Sequence, residues 1–423
     1  MEQQFPPRAC GDRNGPGEQQ VGSFFDEPVE RRQHNPPRLT SVLPAELIAH
    51  GFAEQSNSAD LLALLKTVIQ SQSGAHPTSP PPPRHIDLYR AMSALQKAIR
   101  IGNTPLAMAA SRWLIERGFS SANWKRLRTI AVEDVGLGDP EVASFVLWLA
   151  GRKDLRAECG DLNLSVCAIN CTTQAVKSRD MSDLAFWSSL PGSIDHLMSD
   201  FGRARSSELV AIASNPADTL RVRHAATRAL FPFRFPGADT WKRRRPEDRM
   251  PLYEALEMPR AVIEMIEADV AFGGDDLTSA APMAWALMRG SKTLSAGVDS
   301  LDPGDMPLVG DVLGSTYDRH TRLGRRILRR MLEEHEPWAE FFRCYPAADP
   351  MECIMRAVFY AEGGVLRPRL SYDGSSALYW SILEAKFATT GIASLEQGGF
   401  ELLELVRRAL PKLNKLRREG IAR

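Results

Sequence analysis

The chain has 423 residues, 43% of them hydrophobic and 25% charged, which places it among ordinary soluble globular proteins with room for two or three domains and a sizeable core. Lysine and arginine total 52 against 52 acidic residues, so the formal net charge of zero excludes a surface coated throughout in positive charge and leaves room for a local basic face. No apolar run approaches the ~20 residues needed to cross a bilayer, and the polar, proline-rich start at Met1–Arg8 has no signal-peptide core. A soluble, cytoplasmic protein is expected.

Residues 1 to about 38 are rich in Gly, Pro, Gln, Arg and Glu and are expected to be a disordered arm. A short helix follows at about 59–72, with Leu61, Leu62, Leu64, Leu65 and Val68 as its apolar stripe. The run Pro80–Pro83 excludes helix and reads as a stiff polyproline linker, giving a first boundary near residue 85.

The next helix spans about 86–101. Leu88, Met92, Leu95 and Ile99 form its buried stripe, while Arg90, Gln96, Lys97 and Arg100 face elsewhere. Thr104-Pro105 predicts a capped start for a second helix running to about Arg117, with Trp113 facing inward and Gly118 as its stop. Ser121 is the expected cap of a third helix that buries Trp124, Leu127, Ile130 and Ala131. Gly136 suits a left-handed cap, and Asp139-Pro140 begins a fourth helix through about Leu149. Such short connections make neighbouring helices antiparallel.

Helical patterning continues at 162–178, 180–190, 206–214 and 219–230. The composition then breaks at Phe231–Gly237, giving a collar-like domain over 86–235 and a second helical domain over 236–423. Helices in the latter are expected at 250–272, 277–288, 321–344, 350–361, 376–389 and 395–418, with 290–318 mostly loop. Strand signals are scarce. The fold class is therefore all-α, a helical bundle or collar-like array behind a proline-rich arm.

None of the six cysteines forms a CxxC pair, and Cys167 and Cys171, one helical turn apart, read as buried thiols. No metal site is expected. Gly290-Ser291-Lys292-Thr293 lacks the upstream glycine and apolar strand of a phosphate loop and reads as a loop, and no nucleophile, metalloprotease or dinucleotide pattern is present. No catalytic residue and no cofactor are assigned.

The segments Ala91–Arg100, Ala107–Arg117 and Lys125–Pro140, the last closing on Glu133-Asp134-Val135-Gly136-Leu137-Gly138-Asp139-Pro140, resemble the C-terminal helical region of the RarA/MgsA family. These are clamp-loader-like AAA+ ATPases that act at stalled replication forks. The resemblance covers roughly residues 87–140. It implies a collar element that drives subunit assembly, with Trp113, Trp124, Glu133, Asp134, Gly136, Asp139 and Pro140 as assembly or structural positions. The family's ATPase module should precede this region, but residues 1–85 are too short and proline-rich to hold it. Glu133 and Asp134, adjacent on a helix, diverge by about 100° and are expected to serve local capping at the helix end rather than paired acid–base catalysis.

Two basic segments are candidates for nucleic acid. Trp241, Lys242, Arg243, Arg244 and Arg245, behind Phe231, Phe233 and Phe235, combine charge with stackable rings, as single-strand binders do. Arg319, Arg322, Arg325, Arg326, Arg329 and Arg330 gather on one broad helix face, with Glu333, Glu334 and Glu336 available for intrahelical pairing instead. Together these features predict a non-enzymatic replication or recombination accessory protein that self-associates or binds a replication-related partner through the collar-like helices and contacts DNA through arginine. The alternative is an interaction scaffold, partner of an ATPase or clamp loader, without nucleic-acid contact.

Overall fold

The computed structural model describes residues 23–26, 39–52, 63–69, 86–231, 245–274, 276–299 and 301–422. Over these residues the protein is an all-α helical array. The arm contributes α1 (Ser23–Asp26), α2 (Ala45–His50) and α3 (63–69). The polyproline run falls outside the described residues.

Much of the described arm packs into the core, including residues 23–26 of the segment expected to be disordered. Phe25 is fully buried and stacks on Trp187 at 3.8 Å. Leu43, Leu47 and Phe52 are also buried, Phe52 against Phe145 and Trp148. A few large apolar side chains suffice to seat a polar segment, because each buried aromatic removes a large apolar area from water.

The collar-like start is α4 (Leu88–Arg100), α5 (Thr104–Glu116), α6 (Ser120–Ile130), a π turn at Ala131–Val135, a 3-10 turn at Gly136–Gly138, and α7 (Pro140–Gly151). The caps differ in part from expectation. Asn103, not Thr104, accepts the Leu106 N–H that opens α5, and the Thr104 hydroxyl instead pairs with that of Thr173. Ser121 does not cap α6, which begins at Ser120 with no side-chain cap. Asp139 caps α7 as expected, accepting from Val142 N at 3.1 Å.

There follow α8 (Lys153–Cys159), α9 (Asp161–Gln174), α10 (Asp180–Ser188), α11 (Asp195–Phe201), α12 (Ser206–Ser214) and α13 (Leu220–Ala229). Cys167 and Cys171 are buried free thiols on α9. After residues 232–244 come α14 (Met250–Ala255), α15 (Arg260–Ala271) and α16 (Asp276–Arg289). The core continues across the expected boundary at 235: α15 packs on α7, and α16 on α10 and α13.

The 290–318 segment is not all loop. It carries β1 (Leu294–Gly297), β2 (Leu308–Val309) and β3 (Val312–Leu313), where β2 and β3 form a small antiparallel pair. Then come α17 (Arg322–Glu334), α18 (Glu336–Cys344), α19 (Pro350–Val358), a second π turn at Phe359–Gly363, and β4 (Arg369–Tyr372), which pairs antiparallel with β1. The chain finishes with α20 (Ser375–Ala388), a π turn at Leu395–Gly399 and α21 (Phe400–Ala422). The expected single helices at 250–272 and 321–344 are each split. Pro259 immediately precedes α15 and Pro337 lies in the first turn of α18, where a missing N–H and the ring's clash with the preceding turn stop the helix before it from continuing.

Candidate nucleic-acid interface and cationic cleft

The α17 face is set by three local features. Thr321 caps the helix, its hydroxyl accepting from Gly324 N at 3.0 Å. Gly324 is required because a side chain there would collide with the Tyr317 and Asp318 carbonyl oxygens, which cross the first turn. Leu323, Ile327, Leu328 and Met331 then form a buried stripe, and the helix packs on α21.

The stripe leaves Arg322, Arg325, Arg326 and Arg329 exposed on the opposite side. None of these four makes an ion pair among the described residues, whereas Arg330 bonds to Glu334 at 2.9 Å and lies 3.7 Å from Glu419. Arg319 turns away and pairs with Glu352 at 2.7 Å. The expected six-arginine face is therefore a four-arginine face. Trp241, Lys242, Arg243 and Arg244 lie outside the described residues. Arg245 is exposed, its backbone N–H held by Asp248.

The collar-like start behaves differently. Arg100 is only 2% exposed. Its Nε donates to Asp134 Oδ1 at 2.7 Å, its Nη2 to Glu133 Oε1 at 3.1 Å, and its Nη1 to the Gly363 carbonyl at 2.8 Å. Gln96 donates to Asp134 and accepts from Arg126. Lys97 pairs with Asp318 at 3.0 Å. Gln96, Lys97 and Arg100 were expected to face away from the core, but they are buried between two π turns because the two charges meet their opposites and the Gln96 amide is hydrogen-bonded. Glu133 and Asp134 thus hold tertiary ion pairs in place of the local caps expected.

Burial pushes the pKa of Asp134 up, but Arg100 and Arg179 outweigh it and hold the carboxyl below its ordinary range. Asp139 has no such partner. Burial pushes it up to about 6, against bonds from Ser41 Oγ at 2.8 Å and the Val42 and Val142 amides. Trp113 and Trp124 are buried, the latter donating to Asp161 at 2.7 Å. Gly136 sits at φ +45° beside Met181, and Pro140 opens α7.

An open cleft of about 430 Å³ lies between α10, the Arg319–His320 turn, α19 and α20. Arg179, Arg319, Arg356 and Lys386 line it, with Glu133 and Glu352. Glu352 Oε1 is shared, accepting from Arg319 at 2.7 Å and Arg356 at 2.9 Å. Arg356 also donates to the Lys386 carbonyl and Thr389 Oγ1. Lys386 donates to Asp183 at 2.7 Å and Tyr360 at 2.6 Å. Arg179, 8% exposed, lies over the Phe359 ring at 4.6 Å and makes one long bond, 3.5 Å, to Glu133. Burial lowers the Lys386 and His320 affinities for protons; Arg179 and Arg356 add to this at Lys386, against Asp183, while Arg319, Lys97 and Arg126 add to it at His320, against Asp318.

No family model, curated protein or solved structure matches the chain. Among the described residues no group of three or more His, Cys, Asp or Glu could hold a metal, and no helix is long and apolar enough to cross a membrane. Of the cleft residues, sequence reasoning singled out only Arg319 and Glu133. Arg179 lies more than 170 residues before Glu352, Arg356 and Lys386, and no local spacing links it to them.

Proposed function

We propose that this protein is a non-enzymatic accessory factor of DNA replication or recombination that grips the phosphate backbone with the exposed face of α17. The observation that supports this reading most is the absence of any acidic partner for Arg322, Arg325, Arg326 and Arg329 among the described residues, whereas the buried Arg100 and Arg417 are ion-paired. Guanidinium groups one helical turn apart suit successive phosphates, and their binding energy comes largely from counterion release. The resemblance of residues 87–140 to the RarA/MgsA collar supports the replication setting and an assembly role. In that segment Tyr89 is 67% exposed and Phe119 38% exposed, which leaves two aromatic side chains for a partner surface.

The test is fluorescence anisotropy with duplex and single-stranded DNA across about 50–200 mM salt. Wild type should bind with a steep salt dependence, and R325E/R326E/R329E should lose at least ~10-fold in affinity and most of that slope. Wild type without salt-sensitive binding would overturn the nucleic-acid half. Retained self-association, read by light scattering and lost in Y89D/F119D, would then favour the scaffold reading.

A further inference from the structure

We propose that the cleft between α10, α19 and α20 is a binding site for a phosphomonoester, a use distinct from backbone contact by α17. Four cations, Arg179, Arg319, Arg356 and Lys386, converge on it, with Glu133 and Glu352 in its wall, Asp183 beneath Lys386 and Asp134 near Arg179.

The pairing is incomplete in geometry. Two arginines share one oxygen of Glu352, although each guanidinium could fork across two. Arg179 has one long bond, and its Nη1 has no hydrogen-bond partner. A network serving stability alone gains by pairing every buried guanidinium, since desolvation is otherwise unrecovered. Here the shortfall borders a cavity wide enough for a nucleotide-sized ligand.

An anion is therefore the complementary ligand, and a phosphate with three terminal oxygens suits several converging donors better than a planar carboxylate. His320 adds a responsive group. Its Nε2 accepts from Arg319 Nε at 3.4 Å, and it can take up a proton as negative charge enters. Phe359 and Phe186 carry cations over their rings, Arg179 at 4.6 Å and Lys386 at 4.8 Å, which fixes those heads at the wall.

The phosphomonoester could come from a free nucleotide or from the 5′ end of a nucleic-acid strand. Isothermal titration of the full-length protein with inorganic phosphate, AMP and adenosine separates phosphate recognition from base recognition. A 5′-phosphorylated oligonucleotide against its 5′-hydroxyl twin separates the two sources. Phosphate and AMP should bind and adenosine should not. A ~10-fold preference for the 5′-phosphorylated strand assigns a strand end, and no preference assigns the free nucleotide.

R356Q should weaken AMP at least ~10-fold, and R319Q, whose side chain is 40% exposed at the rim, should do so even if R356Q misfolds. R325E/R326E/R329E should leave AMP binding unchanged, so failure of the DNA reading and failure of this one are distinguishable. The proposal is overturned if neither phosphate nor AMP binds wild type at millimolar concentration, or if R319Q binds AMP as wild type does.

Discussion

The collar-like start and the α17 face are both amphipathic helices carrying arginine, and they differ in what meets the guanidinium. At Arg100 each guanidinium nitrogen donates, to Asp134, Glu133 and the Gly363 carbonyl, and the side chain is sealed from water. At Arg322, Arg325, Arg326 and Arg329 water is the neighbour. A buried charge must be neutralised where it stands, so it joins two parts of the chain and offers nothing outward. An exposed one costs little to leave unpaired and keeps its field available for a ligand. Arginine content says little about nucleic-acid binding until the partner of each guanidinium is known.

The strongest way to break this comparison is at Asp134. D134A leaves Arg100 buried with half its compensation gone and should lower unfolding free energy by about 3–5 kcal/mol, measured by urea denaturation. A loss below about 1 kcal/mol would mean that water reaches Arg100 and that the two regions are not opposites.

Asp139 gives a pH-dependent form of the same test. Its folded value of about 6 lies above the ordinary 3.8, so between those values the folded state holds more protons than the unfolded one. Stability from this group therefore rises as pH falls from about 7 to 4, by roughly 2–3 kcal/mol. Wild type should gain on D139N by that amount over the interval in paired melts. A difference that stays flat with pH would show Asp139 to be solvated.

Smaller effects are expected on α17. R325E/R326E/R329E should change unfolding free energy by no more than about 1 kcal/mol, since no pair is lost. E334Q, which removes the exposed partner of Arg330, should cost about 0.5 kcal/mol or less. A cost of several kcal/mol in either would place α17 among the packed, ion-paired helices.

The amino-acid sequence by itself determined the helical class, most helix positions, the Asp139-Pro140 start of α7 and the exposure of the arginines opposite Leu323, Ile327, Leu328 and Met331, because these follow from local periodicity and capping. It missed the breaks near Pro259 and Pro337, reading each pair of helices as one, and the small β pairs were too short to show alternation. What only the tertiary structure decided is the fate of polar side chains on helices buried on both sides. Gln96, Lys97 and Arg100 look outward in an isolated α4, and are inward only because Asp134, Asp318 and Gly363 arrive from distant elements to neutralise them. Phe25 is the converse, one ring in a polar arm that finds Trp187 far along the chain. The cleft belongs to the same class, since Arg179, Arg319, Arg356 and Lys386 are neighbours only after α10, α19 and α20 have packed. Periodicity reports a helix against its own axis, whereas compensation of buried charge is a property of the neighbours that packing supplies.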